Sequence, residues 1–131
     1  MRHYLDDPGA EAELRALLSI NREVRGPGHP RTLTVVQSLV EVLHDAGRLA
    51  EAERLARQLV QDQSRVLGPA HPRTLTSKQR LGLILLDRAS TAEAVELLTS
   101  VLTGSQAVLG SDHPLTVLSR ETIEAIQHRI G

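Results

Sequence analysis

A nine-residue segment returns in this chain at a fixed interval, and that return constrains the fold more than any other feature. It reads Gly26-Pro27-Gly28-His29-Pro30-Arg31-Thr32-Leu33-Thr34, then Gly68-Pro69-Ala70-His71-Pro72-Arg73-Thr74-Leu75-Thr76. A worn third copy runs Gly110-Ser111-Asp112-His113-Pro114-Leu115-Thr116-Val117. The leading glycines are 42 residues apart in both steps (68 − 26 and 110 − 68). A constant period of this size marks a repeat architecture, in which each unit buries its apolar face only against its neighbours.

Each copy has the chemistry of a corner between two helices. Gly26, Gly68 and Gly110 suit the left-handed residue that closes a helix. Pro27 and Pro69 then prevent the helix from continuing. His29, His71 and His113 each precede a proline, which biases them out of the helical region and into an N-cap role. Pro30, Pro72 and Pro114 fall at the first helical position, where a missing N–H costs nothing.

Between corners the apolar spacing is helical. Residues 30–46 carry Leu33, Leu39, Val42 and Leu43, and stop at Gly47. Residues 50–66 follow with Leu55, Leu59, Val60 and Val66. The next period repeats the pattern over 72–88 and 91–108, and the two periods share 18 of 42 residues. Residues 10–25 match a second helix whose first is lacking, and 114–130 match a first helix without its second. The expected architecture is all-α: six helices in a short α-solenoid of antiparallel pairs. It forms a single helical repeat domain over 1–131, with a partial unit 8–25, full units 26–67 and 68–109, and a partial capping unit 110–131.

Composition narrows the function. With 15 Lys and Arg against 16 Asp and Glu, the net charge is −1, which lacks the basic footprint of a duplex-binding protein. Tyr4 is the sole aromatic residue, so stacking platforms for single strands are missing too. Without cysteine there is no disulfide framework, thiolate metal site or cysteine nucleophile. Arg2-His3-Tyr4 runs straight into Asp6-Asp7 with no signal-peptide stretch, and no apolar run approaches the roughly 20 residues of a membrane span. A cytoplasmic protein with no nucleic-acid or membrane partner is expected. Lys78 is the only lysine, which reads as the mark of a GC-rich genome.

The sequence Leu-Gly-x-x-His-Pro-x-Thr, then Leu39, Gly47-Arg48-Leu49-x-Glu51-Ala52 and a return to Val66-Leu67-Gly68, resembles the 42-residue tetratricopeptide repeats of the kinesin light chain type. Many bacterial proteins, actinobacterial ones in particular, carry arrays of this kind, and the resemblance points to such a source. It covers roughly residues 8–130. It implies first helices lining a concave groove and second helices forming a convex back. In the family a polar residue on the first helix, usually asparagine, contacts the backbone of an extended peptide. The matching positions are Gln37, Gln79 and, departing further, Glu121. The same face then includes Thr34, Ser38, Glu41 and His44 in the first unit and Thr76, Arg80, Leu83 and Leu86 in the second.

Other constellations are weaker. His29, His71 and His113 sit in different units; helices stack about 8–10 Å apart, whereas zinc ligands approach to about 2.1 Å, so the three do not converge on one ion. His44 and His128 occupy corresponding positions near helix ends, where solvated histidines suit the dipole. No Gly-x-Ser-x-Gly elbow, phosphate loop or His-Glu-x-x-His motif is present. An acid–base pair from His44, Glu41, or His3 with Tyr4 requires a partner subunit to complete it. The sequence asks for no cofactor and no metal.

Leu81-Gly82-Leu83-Ile84-Leu85-Leu86 is apolar on all sides of its helix, which places Leu83 and Leu86 on the concave surface. Gly82 suits the close approach of a neighbouring helix. Leu14, Leu17, Leu18 and Ile20 are expected to form an uncovered flank on the first helix, and a homodimer is one way to close it. The leading functional reading is an adaptor or scaffold that binds a protein or peptide. The alternatives are a small enzyme or accessory subunit acting on a groove-bound peptide, with His44 or His128 as proton carrier, and a regulatory or oligomerisation fragment of a larger signalling protein.

Overall fold

The computed structural model describes residues 8–130, so Arg2, His3, Tyr4, Asp6 and Asp7 lie outside the described residues. Six α-helices follow in order: α1 (Pro8–Arg25), α2 (Pro30–Asp45), α3 (Leu49–Val66), α4 (Pro72–Asp87), α5 (Thr91–Val108) and α6 (Pro114–Ile130). No strand occurs among the described residues. Each helix packs on the next, and α2 also touches α4 across the intervening α3. First-type helices (α2, α4, α6) therefore share an inner wall and second-type helices (α1, α3, α5) an outer one, as expected for a solenoid of helix pairs.

The corners explain the period atom by atom. Gly26, Gly68 and Gly110 take φ of 95°, 105° and 94°, the left-handed region where a Cβ is strained. His29 and His71 are N-caps in extended geometry, and their Nδ1 atoms accept from the N–H groups of Arg31 and Arg73 at 3.1 Å. His113 does the same for Leu115, also at 3.1 Å. An accepting Nδ1 fixes the tautomer that carries its proton on Nε2. Thr32, Thr74 and Thr116 are fully buried, and their hydroxyls donate to the carbonyls of Gly26, Gly68 and Gly110 at 2.8 Å. The threonine thus satisfies a carbonyl that the helix end leaves over.

The turn inside each unit is less uniform. Gly47 closes α2 with φ 78°, whereas Ala89, its equivalent after α4, takes φ 63° despite its Cβ. Such a conformation costs a non-glycine residue roughly 1–2 kcal/mol.

The main core joins Leu33, Leu39 and Leu43 of α2 to Leu59 of α3 and Ile84 and Leu85 of α4. A smaller cluster sets Leu98 of α5 against Ile123 and Ile126 of α6. Gly82 is the close-approach point: a Cβ there would lie 2.6 Å from Leu98 Cδ2, so α4 and α5 meet through a missing side chain. Outside, ion pairs tie successive second helices. Arg15 of α1 reaches Glu51 of α3 at 2.8 Å, and Arg57 of α3 reaches Glu93 of α5 at 2.7 Å. Both rungs span 36 residues and repeat with the period.

Candidate functional site

The inner wall is built from the exposed sides of α2, α4 and α6. A hollow of about 120 Å³ opens on it, lined by Gln37 and Glu41 of α2, Thr76, Gln79, Arg80 and Leu83 of α4, and Leu115 and Leu118 of α6. Six of the residues expected from the sequence are therefore gathered in one place. The two α6 leucines were not foreseen, although they stand 42 residues beyond Arg73 and Thr76 and could have been found by extending the period.

The depth of this wall carries a polar ladder. Gln79 is only 4% exposed, and its Oε1 accepts from the Ser119 hydroxyl at 2.7 Å, bridging α4 to α6. One period earlier the same pair is Gln37 and Ser77. There the rung is open: Gln37 Oε1 and Ser77 Oγ are both buried without a hydrogen-bond partner. Gln79 Nε2 is buried and unpartnered as well. Three buried polar atoms without partners on one wall are unusual, because each costs about 1–3 kcal/mol in desolvation. The sequence suggested two equivalent surface amides. Packing against Ser119 makes one a buried bridge with a spare donor, while the other keeps its acceptor free.

The remaining expected residues fall around this ladder. Thr34 is exposed; its hydroxyl donates to the Pro30 carbonyl and accepts from Arg73 at 3.0 Å. Ser38 is half-buried and outside the hollow, and Glu121 is exposed and lines neither cavity described here. Leu86 faces a second, larger cavity of about 350 Å³, floored with Ala125 and Ile126 and rimmed by Asp87 and Arg129.

His44 is not the solvated end residue expected from its position. Its Nε2 lies 2.6 Å from Asp87 Oδ2, and its Nδ1 accepts from Arg80 at 3.1 Å, so it locks the end of α2 to α4. Both ring nitrogens are engaged by protein groups. The corresponding place between α4 and α6 has Leu86, Thr122 and Arg129 instead, and the larger cavity opens where that lock is lacking. His128 is exposed on α6. Among the described residues no group of three His, Asp or Glu side chains is placed to hold a metal ion, and no helix is long and apolar enough to cross a membrane.

Comparisons with known proteins agree with this geometry. The tetratricopeptide repeat family matches residues 36–105, somewhat more than half of the chain. Among solved structures, the nearly identical TPR-like repeats of a Podosopora anserina protein assigned as a kinesin light chain superpose with a TM-score of 0.81 at 28% identity. A single-substitution variant of those repeats gives 0.82, also at 28%. The match covers 88% of this chain but 55% and 54% of those two, so this chain spans about half their length. A comparison with curated proteins returns no match. Through its sequence, its corner chemistry and its stacked helix pairs, the chain belongs to the tetratricopeptide repeat family.

Proposed function

We propose that this protein is an adaptor whose inner wall holds an extended segment of a protein or peptide partner. Repeats of this family generally mediate protein–protein interaction, and the narrower reading is ours. One observation carries it: the open rung of the polar ladder. Gln37 Oε1 presents a buried acceptor and Gln79 Nε2 a buried donor, one repeat apart on the same wall. Both amides line the hollow, and a turn of either side chain towards it would let an extended peptide backbone offer an N–H to the first and a C=O to the second.

The apolar side chains around the rung (Leu83, Leu115 and Leu118) give a few anchors, and Glu41 and Arg80 bound them with opposite charges. Thr34, Ser38, Thr76, Leu86 and Glu121 extend the same surface, while His44 braces it. The partition into two full and two partial units belongs to this reading, as do a cytoplasmic location and a homodimer as one form of partner.

Selection of binders from a displayed random-peptide library, followed by affinity measurement in solution, tests the proposal. Gln37→Ala and Leu118→Asp should each weaken a selected peptide about tenfold, the worth of one hydrogen bond or anchor. Thr99→Ala, on the outer wall, should leave it unchanged. Equal affinity in all three variants would remove the inner wall from the reading.

A further inference from the structure

The seam between α2 and α4 ends in a histidine whose two ring nitrogens meet opposite charges. His44 Nε2 lies 2.6 Å from Asp87 Oδ2, and Nδ1 lies 3.1 Å from a guanidinium nitrogen of Arg80. A guanidinium only donates, so Nδ1 accepts and the single ring proton sits on Nε2, directed at the Asp87 carboxylate. The ring is neutral in this arrangement, and its side chain is only 10% exposed. On α2 itself, Asp45 lies 3.8 Å from the same Arg80 nitrogen, and Glu41 lines the hollow beside Arg80. The acids in the first turns of α3, Glu51 and Glu53, are held by Arg15 and Arg57 instead.

We propose that this contact is a proton-operated latch on the inner wall: a second proton, on His44 Nδ1, releases Arg80 from the ring and turns its guanidinium into the hollow. The inference rests on the inner wall as the binding surface and assigns its regulation. A proton on Nδ1 sets donor against donor and cation against cation at hydrogen-bond distance. Asp87 responds in the opposite sense, because its bond to the ring strengthens once the ring is charged. The His44–Asp87 bond therefore keeps α2 on α4 while Arg80 lets go. Glu41 lines the same hollow and offers the freed guanidinium a carboxylate, and so does an acidic residue of a bound segment.

The latch belongs to this seam alone among the described residues. One period on, Leu86, Thr122 and Arg129 take the places of His44, Arg80 and Asp87, and none of them changes charge near neutrality. Histidine does so between about pH 8 and about pH 5.

Nitrogen NMR of the full chain tests the latch without any ligand. At about pH 8 His44 should carry its proton on Nε2, and as pH falls to about 5 the Nδ1 and Arg80 side-chain signals should change together. Arg80→Met removes the opposing cation, so His44 should take its second proton at higher pH than in wild type. His44→Gln supplies an acceptor for Arg80 and a donor for Asp87 without titrating, and should leave the Arg80 signal constant across the range. Unchanged helicity at about pH 8 confirms that both variants fold. A proton on Nδ1 at the alkaline end, an Arg80 signal that ignores the His44 titration, or an Arg80→Met midpoint equal to wild type overturns the latch.

Peptide affinity then tests its effect on the wall. A library-selected peptide bearing an acidic residue should bind wild type about fivefold tighter at about pH 5.5 than at about pH 8. The gain should vanish in His44→Gln. The same gain in both proteins overturns the regulation. Failure of every selected peptide to depend on the inner wall removes the binding reading and the regulatory role with it, whereas the latch stands or falls by the NMR result.

Discussion

Thr74 shows how much structural work a single repeated residue does. Its hydroxyl is buried and donates at 2.8 Å to the carbonyl of Gly68, the residue whose positive φ turns the chain. That carbonyl otherwise receives only the His71 N–H, at 3.3 Å. Thr74→Val keeps shape and volume and removes the donor, so the expected cost is about 1–2 kcal/mol. Thr99→Val, whose exposed hydroxyl bonds back to the Val95 carbonyl, should stay within about 0.5 kcal/mol. Urea denaturation of the two variants compares them directly, and similar losses would show that the buried hydroxyl adds nothing to the corner. The period was legible in the sequence because the corner is a local device. Glycine, histidine, proline and threonine each answer a backbone need within nine residues, and none depends on a distant partner. The ladder was not legible, because Gln79 and Ser119 lie 40 residues apart. Nothing local distinguishes that closed pair from Gln37 and Ser77, whose rung stays open.

Helix boundaries were read from the sequence to within a residue or two, since every first helix opens at a proline and all but Ala89 of the closing positions are glycine. The faces those helices present depend on packing, and α4 is the clearest instance. Its all-round apolar run reads as exposed leucines on the concave side; in the fold Leu81, Ile84 and Leu85 are buried and Leu83 and Leu86 half-buried. Gly82 decides how closely α5 can lie on it. Glycine inside a helix ordinarily costs about 1 kcal/mol against alanine, so Gly82→Ala would stabilise an isolated α4. In the fold the new methyl would sit 2.6 Å from a Leu98 side chain that is itself fully buried. Overpacking of this kind costs about 1–3 kcal/mol, which outweighs the gain in propensity. The variant should therefore melt lower than wild type, and Gly82→Ala combined with Leu98→Val should recover part of the loss. A melting temperature raised by Gly82→Ala alone would mean that the α4–α5 contact is looser than this geometry.

At the scale of the whole molecule, each unit is coupled to its neighbours through the core, through hydrogen bonds along the inner wall and through the outer ion pairs. The pairs make stability depend on pH in a definite direction. Hydrogen bonding to Arg15 and to Arg57 holds the carboxyl groups of Glu51 and Glu93, respectively, below the ordinary carboxylate value of 4.5. Arg15 and Arg57 are raised in turn, chiefly by the same bonds, and stay charged throughout. A carboxylate that releases its proton more readily folded than unfolded adds stability that is complete above the unfolded value. That contribution is lost as pH falls below 4.5 through the folded value. All four side chains are partly exposed, so each pair contributes no more than about 1 kcal/mol. The double variant Arg15→Met with Arg57→Met should melt lower than wild type at pH 6, and the gap should narrow as pH falls below 4.5 and the wild-type carboxylates take up their protons. Salt should narrow it at pH 6 as well, because exposed charges are screened. Calorimetric scans across that pH range would show the convergence. A constant gap would mean that the arginines act through packing of their stems rather than their charge, leaving the core and the inner-wall hydrogen bonds to join the units.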